Sequence, residues 1–481
     1  MASRPLGIPP RLAPAGGLRH GGFVASTNLM VSVNPATGET LTEVSLHSAV
    51  EAGDRLVRCR EAFKGWSRRP VDERVTVLAR AAALLRKRRD ELARLATLEM
   101  GKTIVAAEAE VEKCAWVCDH YAQHAVSMLA PEPVATDAGD SYVRYDPLGV
   151  LLAIMPWNFP YWQVFRAAAP ALAAGNTVAL KHASNVTGCA LAMERLWRDA
   201  GLPEDAFTVI LVQGAEASAL AAHTAVSAVT LTGSEPAGAS VGAIAGRALK
   251  KIVLELGGSD PFIVLADADV AHAAKQAAAA RVINNGESCI AAKRFIVVEA
   301  VAEAFESAFA ESLRALRVGD PLDRATDVGA LARPDLVDEM ERQVAQSIAK
   351  GARLVLGGKR LPGGGNFFPP TLLTRVSPGM PAFDEETFGP LAAVTRARDA
   401  GDAVALANRS RYGLASSIWT ADVERARELA GMLEAGAVFV NATVRSDPRL
   451  PFGGVKRSGH GRELGVFGLR EFVNAKTVWV A

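Results

Sequence analysis

The chain has 481 residues, of which 49% are hydrophobic and 22% charged, and its 53 basic and 52 acidic residues give a formal net charge of +1. This length exceeds what a single core usually organises, so we expect two large domains. The balanced charge argues against a nucleic-acid partner. Apolar stretches such as 149–156 are far shorter than the ~20 residues of a membrane helix, so we predict a soluble protein without a membrane contact.

The first 29 residues have a composition unlike the rest of the chain. They contain Arg4, Arg11 and Arg19, four prolines and no acidic residue. A transit peptide is also rich in arginine and poor in acids, but the prolines would break the amphipathic helix that it needs. We therefore expect residues 1–29 to be a disordered extension, or to precede a start at Met30. Ordered structure is expected from the turn-rich stretch 34–39.

The cysteines are few and odd in number, five in all. That pattern favours a reducing, cytoplasmic setting over a disulfide framework. Cys114 and Cys118 lie close in sequence to His120 and His124, which raises the possibility of a metal site. In the helical stretch 106–128, however, the cysteines and the histidines fall on nearly opposite sides. We expect no metal there.

The first half of the chain is predicted to be mostly helical and then to alternate. Residues 50–128 have helical periodicity, and 130–146 are polar and rich in turns. The strands that follow are predicted at 150–155, 177–180, 207–212, 228–232 and 252–256, with helices at 162–174, 188–200, 215–225 and 237–249. Such alternation predicts a doubly wound parallel α/β sheet. Ligands bind at the carboxyl ends of such strands, where Asn158, Lys181, Ser234 and Glu255 fall.

A second alternating series follows between residues 262 and 440. Its strands are predicted at 294–298, 353–356, 391–395 and 416–420. A helix over 271–284 precedes Cys289 near the start of this series. The tail 471–481 alternates apolar and polar residues and could add an edge strand to a partner.

Cys289 and Glu255 suggest covalent chemistry. Each stands beside glycines, and a thiol that attacks a carbonyl together with a carboxylate that activates water would make and hydrolyse a thioester. Each residue alone also has a structural explanation, as a small buried apolar side chain or as a strand-end carboxylate in an ion pair.

The glycine motif Gly-x-Gly-x-x-Gly, which usually follows the first strand of a dinucleotide-binding fold, does not occur in that context here. Instead Thr232-Gly233-Ser234, followed by Gly238 and Gly242, marks a strand–helix junction that could bind phosphate or simply cap a closely packed helix.

From Asn34 onward the chain resembles the aldehyde dehydrogenases. The matching segments are Pro156-Trp157-Asn158-Phe159-Pro160, Lys181 after a strand, Thr232-Gly233-Ser234, Glu255-Leu256-Gly257-Gly258, Gly286 to Cys289, Glu386-Thr387-Phe388-Gly389-Pro390 and Pro451-Phe452-Gly453-Gly454. The resemblance implies a Rossmann-like cofactor domain at 30–129 and 148–257 and an α/β catalytic domain at 258–466. It also implies a small β arm, at 130–147 and 467–481, that joins subunits into a homodimer or homotetramer.

The resemblance also implies how the coenzyme is held. Lys181 would bind the adenine-side ribose and Ser234 the pyrophosphate, while Glu386 and Phe388 would position the nicotinamide ribose and ring. Pro156, Trp157, Gly233 and Gly238 complete the implied cofactor site. Without the resemblance, Glu386 and Phe388 would be read as a turn before a strand. At Ser184 many NAD-preferring relatives have a glutamate, which would repel the extra phosphate of NADP. The serine permits NADP and does not exclude NAD.

The same resemblance implies catalytic roles for three residues. Cys289 would be the nucleophile, the Asn158 side chain and the Cys289 N–H would stabilise the oxyanion, and Glu255 would activate water. Relatives that pass the acyl group to coenzyme A generally lack this glutamate, so a free acid is the expected product. The family usually has glutamine where this chain has Glu287. We expect the Glu287 side chain to point away from the thiol, because a second negative charge there would raise its pKa.

Arg166 and Ser446 point to an aldehyde that carries a carboxylate. Succinate-semialdehyde dehydrogenases place an arginine and a serine at these positions, and arginine suits a carboxylate. The further arginine that such enzymes often carry is here Ile283, and Arg281 is expected to face elsewhere on its helix. Arg166 could instead form an ion pair within the protein. The sequence therefore predicts oxidation of succinate semialdehyde with NAD or NADP. Glutarate semialdehyde or an aliphatic or aromatic aldehyde remains an alternative, as does a non-catalytic dinucleotide-binding protein.

Overall fold

The computed structural model describes residues 28–481. The strands are β1 Leu29–Val33, β2 Thr40–Ser45, β3 Glu132–Pro133, β4 Asp140–Pro147, β5 Val150–Met155, β6 Thr177–His182, β7 Phe207–Val209, β8 Val226–Thr232, β9 Lys251–Glu255, β10 Pro261–Val264, β11 Arg294–Val298, β12 Arg353–Leu356, β13 Thr371–Thr374, β14 Leu391–Ala397, β15 Tyr412–Gly413, β16 Ala415–Trp419, β17 Ala437–Val440, β18 Val455–Lys456, β19 Gly459–His460 and β20 Val473–Val480.

The helices are α1 Ala49–Trp66, α2 Val71–Lys87, α3 Arg89–Met100, α4 Ile104–Met128, α5 Trp162–Ala174, α6 Thr187–Asp199, α7 Gly214–Leu220, α8 Glu235–Arg247, α9 Val270–Val282, α10 Glu299–Arg314, α11 Pro334–Ala349, α12 Pro381–Asp384, α13 Ala400–Asn408, α14 Val423–Ala430 and α15 Gly465–Glu471. None of the helices within residues 28–481 is long and apolar enough to cross a membrane.

Ordered structure begins earlier than the sequence indicated. β1 starts at Leu29 and pairs with β2 as an antiparallel hairpin, so the turn-rich stretch at 34–39 is its connection rather than its beginning. Most of the predicted disordered extension, residues 1–27, lies outside the described residues.

The first large sheet confirms the doubly wound prediction. Its strand order is β19-β9-β8-β5-β6-β7, and every pair is parallel except the short return strand β19 against β9. Alternate residues of β5 face opposite sides. Leu151 and Ala153 pack in a core with α5 and α6, whereas Val150 and Leu152 pack with α1, α7 and α8. Helices therefore cover both faces, and the carboxyl ends of the strands open toward the second large sheet.

The second large sheet has the order β12-β13-β14-β11-β10-β16-β17. Only β12 runs antiparallel to its neighbour, and the remaining pairs are parallel. Phe262 and Phe295 face one core, while Ile263 and Ile296 face another, so this sheet too is buried on both faces.

A small third sheet has the order β20-β4-β3. β20 pairs antiparallel with β4 from Val473 opposite Pro147 to Val480 opposite Asp140. The tail therefore forms an edge strand, as its alternating pattern indicated, and its partner here is a strand of its own chain. That this sheet joins subunits stays a prediction.

β7, α7 and α9 are among the predicted elements that end earlier than expected, because their last residues make other hydrogen bonds or leave the regular backbone conformation. β7 stops at Val209, since two residues later Leu211 bonds to His47, whose N–H donates to the Leu211 carbonyl at 2.8 Å. α7 stops at Leu220, where the N–H groups of Ala222 and His223 donate three residues back in tight turns. α9 stops at Val282, because Asn284 has a left-handed φ of 55°.

Candidate active site

The thiol of Cys289 lies where two cavities meet. One cavity, of about 330 Å³, lies between the first sheet and residues 386–388 and is lined by Asn158, Ser234 and Glu386 among others. The other, of about 220 Å³, lies between α4, α5 and the loop after β17. Cys289 and Gln163 line both. A group bound in either cavity therefore reaches the same sulfur atom.

The loop that carries the thiol has an unusual backbone. Asn284, Asn285 and Gly286 all have positive φ values, of 55°, 59° and 81°. A Cβ atom on Gly286 would lie 2.5 Å from the carbonyl carbon of Gly389, so only glycine fits there. The Asn285 side chain donates to the carbonyls of Gly101 and Ala330, at 3.1 and 3.0 Å. These contacts fix the loop in a conformation that an ordinary helix end would not adopt.

Lys293 holds the other side of the same loop. Its ammonium is buried and donates to the carbonyls of Ser288, Cys289 and Ala291 at 2.9, 2.8 and 3.1 Å. It also lies 3.8 Å from a carboxylate oxygen of Glu386. Lys293 thus links the backbone around Cys289 to Glu386, which lines the larger cavity.

Burial makes the Cys289 thiol hard to ionise. Desolvation raises its pKa from the ordinary 9.0 to about 12, and the negative charges of Glu386 and Glu255 act in the same direction. The positive charges of Arg166 and Lys293 oppose the rise. In the protein without ligands the sulfur is therefore a neutral thiol, which is a weak nucleophile.

Asn158 lies beside the thiol loop, in a position to donate to an oxygen atom there. One N–H of its side chain donates to the carbonyl of Glu287 at 3.0 Å, and the second is left for another acceptor. Asn284 in turn donates to the Asn158 carbonyl at 2.7 Å. The Asn158 amide is thereby fixed in place at the wall of the larger cavity.

The Glu287 side chain points away from Cys289, as expected. Its carboxyl accepts a hydrogen bond from the backbone N–H of Ala332 at 2.9 Å. Complete burial raises the pKa of Glu287 well above its usual range, although Lys102 and Arg333 act against the rise. Burial therefore disfavours the charged form of this carboxyl, so a negative charge beside the thiol is disfavoured too.

Glu255 ends β9 but lines neither cavity. A Cβ atom built on Gly453 would lie 2.9 Å from its carboxyl oxygen, and within residues 28–481 no ion pair forms to it. Desolvation raises its pKa well above the usual range, and nearby Glu463 adds to the rise while Arg166 opposes it. A carboxylate with a raised pKa is a stronger base once it is ionised, and Glu255 could take that role provided that it turns toward the thiol.

The larger cavity has the features of a dinucleotide site. Of the residues that the sequence predicted for the coenzyme, it is lined by Pro156, Trp157, Gly233, Ser234, Glu386 and Phe388. Ser234 caps α8 without a side-chain cap bond, so the serine hydroxyl and the N–H groups of Glu235 and Ala237, on either side of Pro236, are available to an anion. Trp157 and Phe388 meet edge to face at 5.7 Å. Glu386 accepts from the N–H of Gly258 at 2.9 Å.

Three predicted coenzyme residues lie outside this cavity. Lys181 is half-buried near the end of β6, and burial lowers its pKa. Ser184 is exposed at the start of a short 3-10 helix. Gly238 packs closely against the residue after β9, because a Cβ atom there would lie 2.5 Å from the Leu256 side chain. That Gly238 also contacts phosphate stays a prediction.

The smaller cavity contains both predicted substrate residues, Arg166 and Ser446. Arg166 is buried, and its Nε pairs with the carboxylate of Glu463 while its Nη2 donates to Thr232 at 3.3 Å. The ion pair that the sequence left open as an alternative is thus formed. The guanidinium also lies 4.7 Å from the Phe452 ring centroid.

Ile283 and Arg281 are the two positions near the thiol loop at which a further substrate-binding arginine was considered, and neither places a guanidinium in the smaller cavity. Ile283 lines the smaller cavity, where related enzymes often have an arginine. Arg281 is buried and donates to the carbonyl of Gly286 at 2.7 Å and to Thr387 at 3.3 Å, so it faces the thiol loop from behind. A wider hollow of about 550 Å³ adjoins the smaller cavity and shares five lining residues with it, Ala106, Ala109, Ile283, Asn284 and Ile290.

Sequence reasoning missed Lys113, Lys293 and Glu463. The helical face formed by Ala106, Ala109, Glu110 and Lys113 lines the smaller cavity. Its spacing of three and four residues, with two charges among alanines, was a detectable signal. Glu463 had no local signal, because its partner Arg166 is 297 residues away (463 − 166).

Cys114 and Cys118 lie in the core of the first domain. His120 and His124 contact each other at 4.8 Å between ring centroids. Among residues 28–481 no group of three or more His, Cys, Asp or Glu side chains is arranged to hold a metal ion.

Comparison with known proteins gives concordant results. A family model described as "Aldehyde dehydrogenase family" matches residues 23–478. A Synechocystis protein named as a probable succinate-semialdehyde dehydrogenase, NADP(+), is 53% identical over 452 residues, which cover 94% of this chain and 100% of that protein. The Escherichia coli K12 succinate semialdehyde dehydrogenase, NAD(P)+, is 48% identical and covers 93% of this chain and 97% of its own. The crystal structure of succinic semialdehyde dehydrogenase from Streptococcus pyogenes in complex with NADP+ has a TM-score of 0.92 and 35% identity, over 94% of this chain and 99% of that chain.

Proposed function

The chain belongs to the aldehyde dehydrogenase family, and on that premise we propose that it oxidises succinate semialdehyde to succinate with NADP or NAD. The observation that carries the proposal is the position of Cys289 between two cavities of different character. One offers a helix N-terminus, glycine and aromatic rings. The other offers cationic side chains and a hydroxyl.

The larger cavity would hold the coenzyme. Gly233, Ser234 and the first turn of α8 would bind the pyrophosphate, because free N–H groups and the positive end of the helix favour an anion. Trp157, Glu386 and Phe388 would position the nicotinamide ribose and ring beside the thiol. When bound, the coenzyme supplies the acceptor for a hydride.

Lys181 and Ser184 would contact the adenine end, beyond the cavity itself. An exposed serine at position 184 leaves room for a 2′-phosphate and brings no negative charge to repel it. The names of similar proteins, which specify NADP(+) or NAD(P)+, support the same reading.

Cys289 would attack the aldehyde carbon. A C–S bond forms, the thiol proton leaves to a base, and the carbonyl oxygen becomes an oxyanion. The free N–H of the Asn158 side chain and the backbone N–H of Cys289 would donate to that oxygen. Each such donor typically contributes roughly 10²–10³ in rate. Loss of hydride from the former aldehyde carbon then leaves a thioester on the sulfur.

Glu255 would complete the cycle by activating water. The carboxylate takes a proton from a water molecule, the water oxygen attacks the thioester carbon, and the C–S bond breaks to release the acid and the thiol. The raised pKa of Glu255 makes it a stronger base than an exposed carboxylate. Its present position against Gly453 requires a rotation of the side chain before this step.

The carboxylated end of the aldehyde would lie in the smaller cavity. Arg166 and Ser446 line it together with Cys289, and Arg445 adds a third polar group at its exposed side. A substrate with a terminal carboxylate complements these groups, whereas an unsubstituted alkyl chain offers them no further hydrogen bond or opposite charge.

The proposal is tested by initial rates with a panel of aldehydes and both coenzymes. Succinate semialdehyde should give the highest kcat/KM, ahead of glutarate semialdehyde, butanal, hexanal and benzaldehyde, and Cys289→Ala should abolish the reaction. If another aldehyde gives a higher kcat/KM than succinate semialdehyde, that aldehyde is the preferred substrate and the proposal is wrong. If the protein binds coenzyme but turns over none of these aldehydes, the alternative of a non-catalytic dinucleotide-binding protein is favoured instead.

We further propose a homodimer or homotetramer built through the arm at 130–147 and 467–481. The edge strand β20 exposes 52% of Trp479, which a second subunit would cover. A cytoplasmic setting is supported by the five cysteines, all of which are free thiols.

A further inference from the structure

We propose that Lys113 binds the terminal carboxylate of the aldehyde and so determines the preference for a carboxylated substrate. This inference rests on the proposed function and assigns a specificity residue within it.

Lys113 faces the cavity that contains the thiol. It lies on α4, is half-buried, and lines the smaller cavity together with Cys289, Arg166 and Ser446. Its ammonium lies 4.3 Å from the centroid of the Trp162 ring. It donates a hydrogen bond to the Ser446 hydroxyl at 2.7 Å. The charge is therefore held on an aromatic face at the wall of the site.

Within residues 28–481, the ammonium of Lys113 has no carboxylate partner. Glu110, one turn away, pairs with Lys102 and accepts from the N–H groups of Tyr161 and Trp162. Asp447 pairs with Arg449. A cation removed from water without a counter-ion costs free energy, and a ligand carboxylate in the cavity would provide that counter-ion.

The hydrogen-bond pattern at Ser446 fits the same ligand. Its oxygen accepts from Lys113, so its own hydrogen is left to donate. An ammonium and a hydroxyl that converge on one point can share the two oxygens of a carboxylate. Neither group gains a comparable partner from a methyl terminus.

Lys113 is better placed for this role than the arginines nearby. Arg166 already pairs with Glu463 and donates to Thr232, so much of its charge and hydrogen-bonding capacity is used inside the protein. Arg445 is exposed to solvent, which weakens its electrostatic contribution.

Lys113 also has a pKa that makes the contact sensitive to pH. Burial, and secondarily the charge of Arg166, lowers the pKa of Lys113 from 10.5 to about 8. The other titratable groups that face it are Glu110 and Cys114 on its own helix and Asp447 on the loop after β17, with Arg445 beside Ser446. Above about pH 8 the free protein therefore loses the charge that would bind the carboxylate.

The first test compares Lys113→Met with the wild-type protein on succinate semialdehyde and on butanal, which has the same chain length without the carboxylate. We expect kcat/KM for succinate semialdehyde to fall roughly 10- to 150-fold, mainly through KM, while butanal changes less than about twofold. Lys87→Met, at an exposed site on α2, is the matched control and should change neither.

The second test follows the ratio of the two kcat/KM values from pH 6.5 to 9.5, so that effects of Cys289 ionisation cancel. In the wild-type protein the ratio should fall with a midpoint near pH 8. In Lys113→Arg it should stay high, because arginine remains charged throughout.

The outcomes separate the two hypotheses. A wild-type protein that does not prefer succinate semialdehyde to butanal contradicts the proposed function. A preference that survives in Lys113→Met, or an equal loss with both aldehydes, contradicts the role of Lys113 alone. If Lys113→Met does not fold, a pH-independent ratio in the wild type, or a falling ratio in Lys113→Arg, overturns it instead.

Discussion

The half-buried, desolvated thiol of Cys289 leads to a quantitative prediction about the chemistry of the free protein. Burial raises its pKa from the ordinary 9.0 to about 12. At pH 8 the thiolate fraction is then lower than that of an ordinary thiol by about three orders of magnitude. The four other cysteines are fully buried in the core, so a small alkylating reagent added to the folded protein reports on Cys289.

The expected rate includes a compensating effect. A thiolate of higher pKa is intrinsically more nucleophilic, with a Brønsted coefficient of about 0.4–0.5, which returns roughly 15- to 30-fold of the loss. The net alkylation rate of Cys289 at pH 8 should therefore be about 30- to 60-fold below that of a free thiol such as N-acetylcysteine. The rate should keep rising about tenfold for each pH unit up to pH 10, because the thiol is still far from fully ionised.

The measurement is the second-order rate of alkylation by iodoacetamide between pH 7 and 10, with Cys289→Ser as the control and circular dichroism to confirm that the fold persists. Added NADP or NAD should accelerate the reaction, since a bound nicotinamide cation stabilises the thiolate. A plateau near pH 8 or 9 without coenzyme would refute the reasoning, because it would show that the thiol is not desolvated as the structure indicates.

Three further variants test other parts of the site. Glu255→Gln should keep a single burst of coenzyme reduction but slow steady turnover by roughly 10²–10⁴-fold, as stopped-flow absorbance would show; full turnover would exclude Glu255 as the base. Glu287→Gln should retain activity and be more stable than the wild type to urea above about pH 5. The raised pKa of this carboxyl means that the wild type loses stability as pH rises, so a difference that shrinks with rising pH would contradict its burial. Gly286→Ala should cost about 2–5 kcal/mol in urea unfolding, from left-handed strain plus overlap with Gly389, whereas Gly246→Ala, with no atom within 4 Å of the new carbon, should be neutral or stabilising. Equal stabilities of the two alanine variants would contradict the close approach at position 286.

The parts of the fold that repeat a local pattern could be predicted from the sequence. β5 and α5 were predicted to the residue, because a continuous apolar run and a long apolar helix ending at a glycine are strong local signals. The end of α9 was predicted two residues too late, because nothing in the composition of Asn284 and Asn285 indicates a left-handed backbone. That conformation depends on contacts with Gly101 and Ala330, which are distant in sequence.

The residues of the site also fall into two groups, those that could be predicted from the sequence and those that depend on contacts distant in sequence. Residues at strand ends, such as Asn158 and Ser234, could be placed from topology, since parallel strands present their carboxyl ends at one edge. The partner of Arg166 could not, because Glu463 comes from a different part of the chain and the pair forms only when the return strand β19 brings it back. Lys113 stands on a helical face with a detectable pattern, but its partner Ser446 is distant in sequence, so its place in the site could not be predicted.

The meeting of two cavities at one sulfur atom has a consequence for inhibition. A molecule confined to the smaller cavity and one confined to the larger cavity can occupy the protein together, so a saturated dicarboxylic acid should not compete with the coenzyme. Only a compound long enough to pass between Cys289 and Gln163 would exclude both ligands at once. Selective blockers of this protein are therefore best designed as linked pairs, with an anionic tail on the Lys113 side and a flat ring on the Trp157 side.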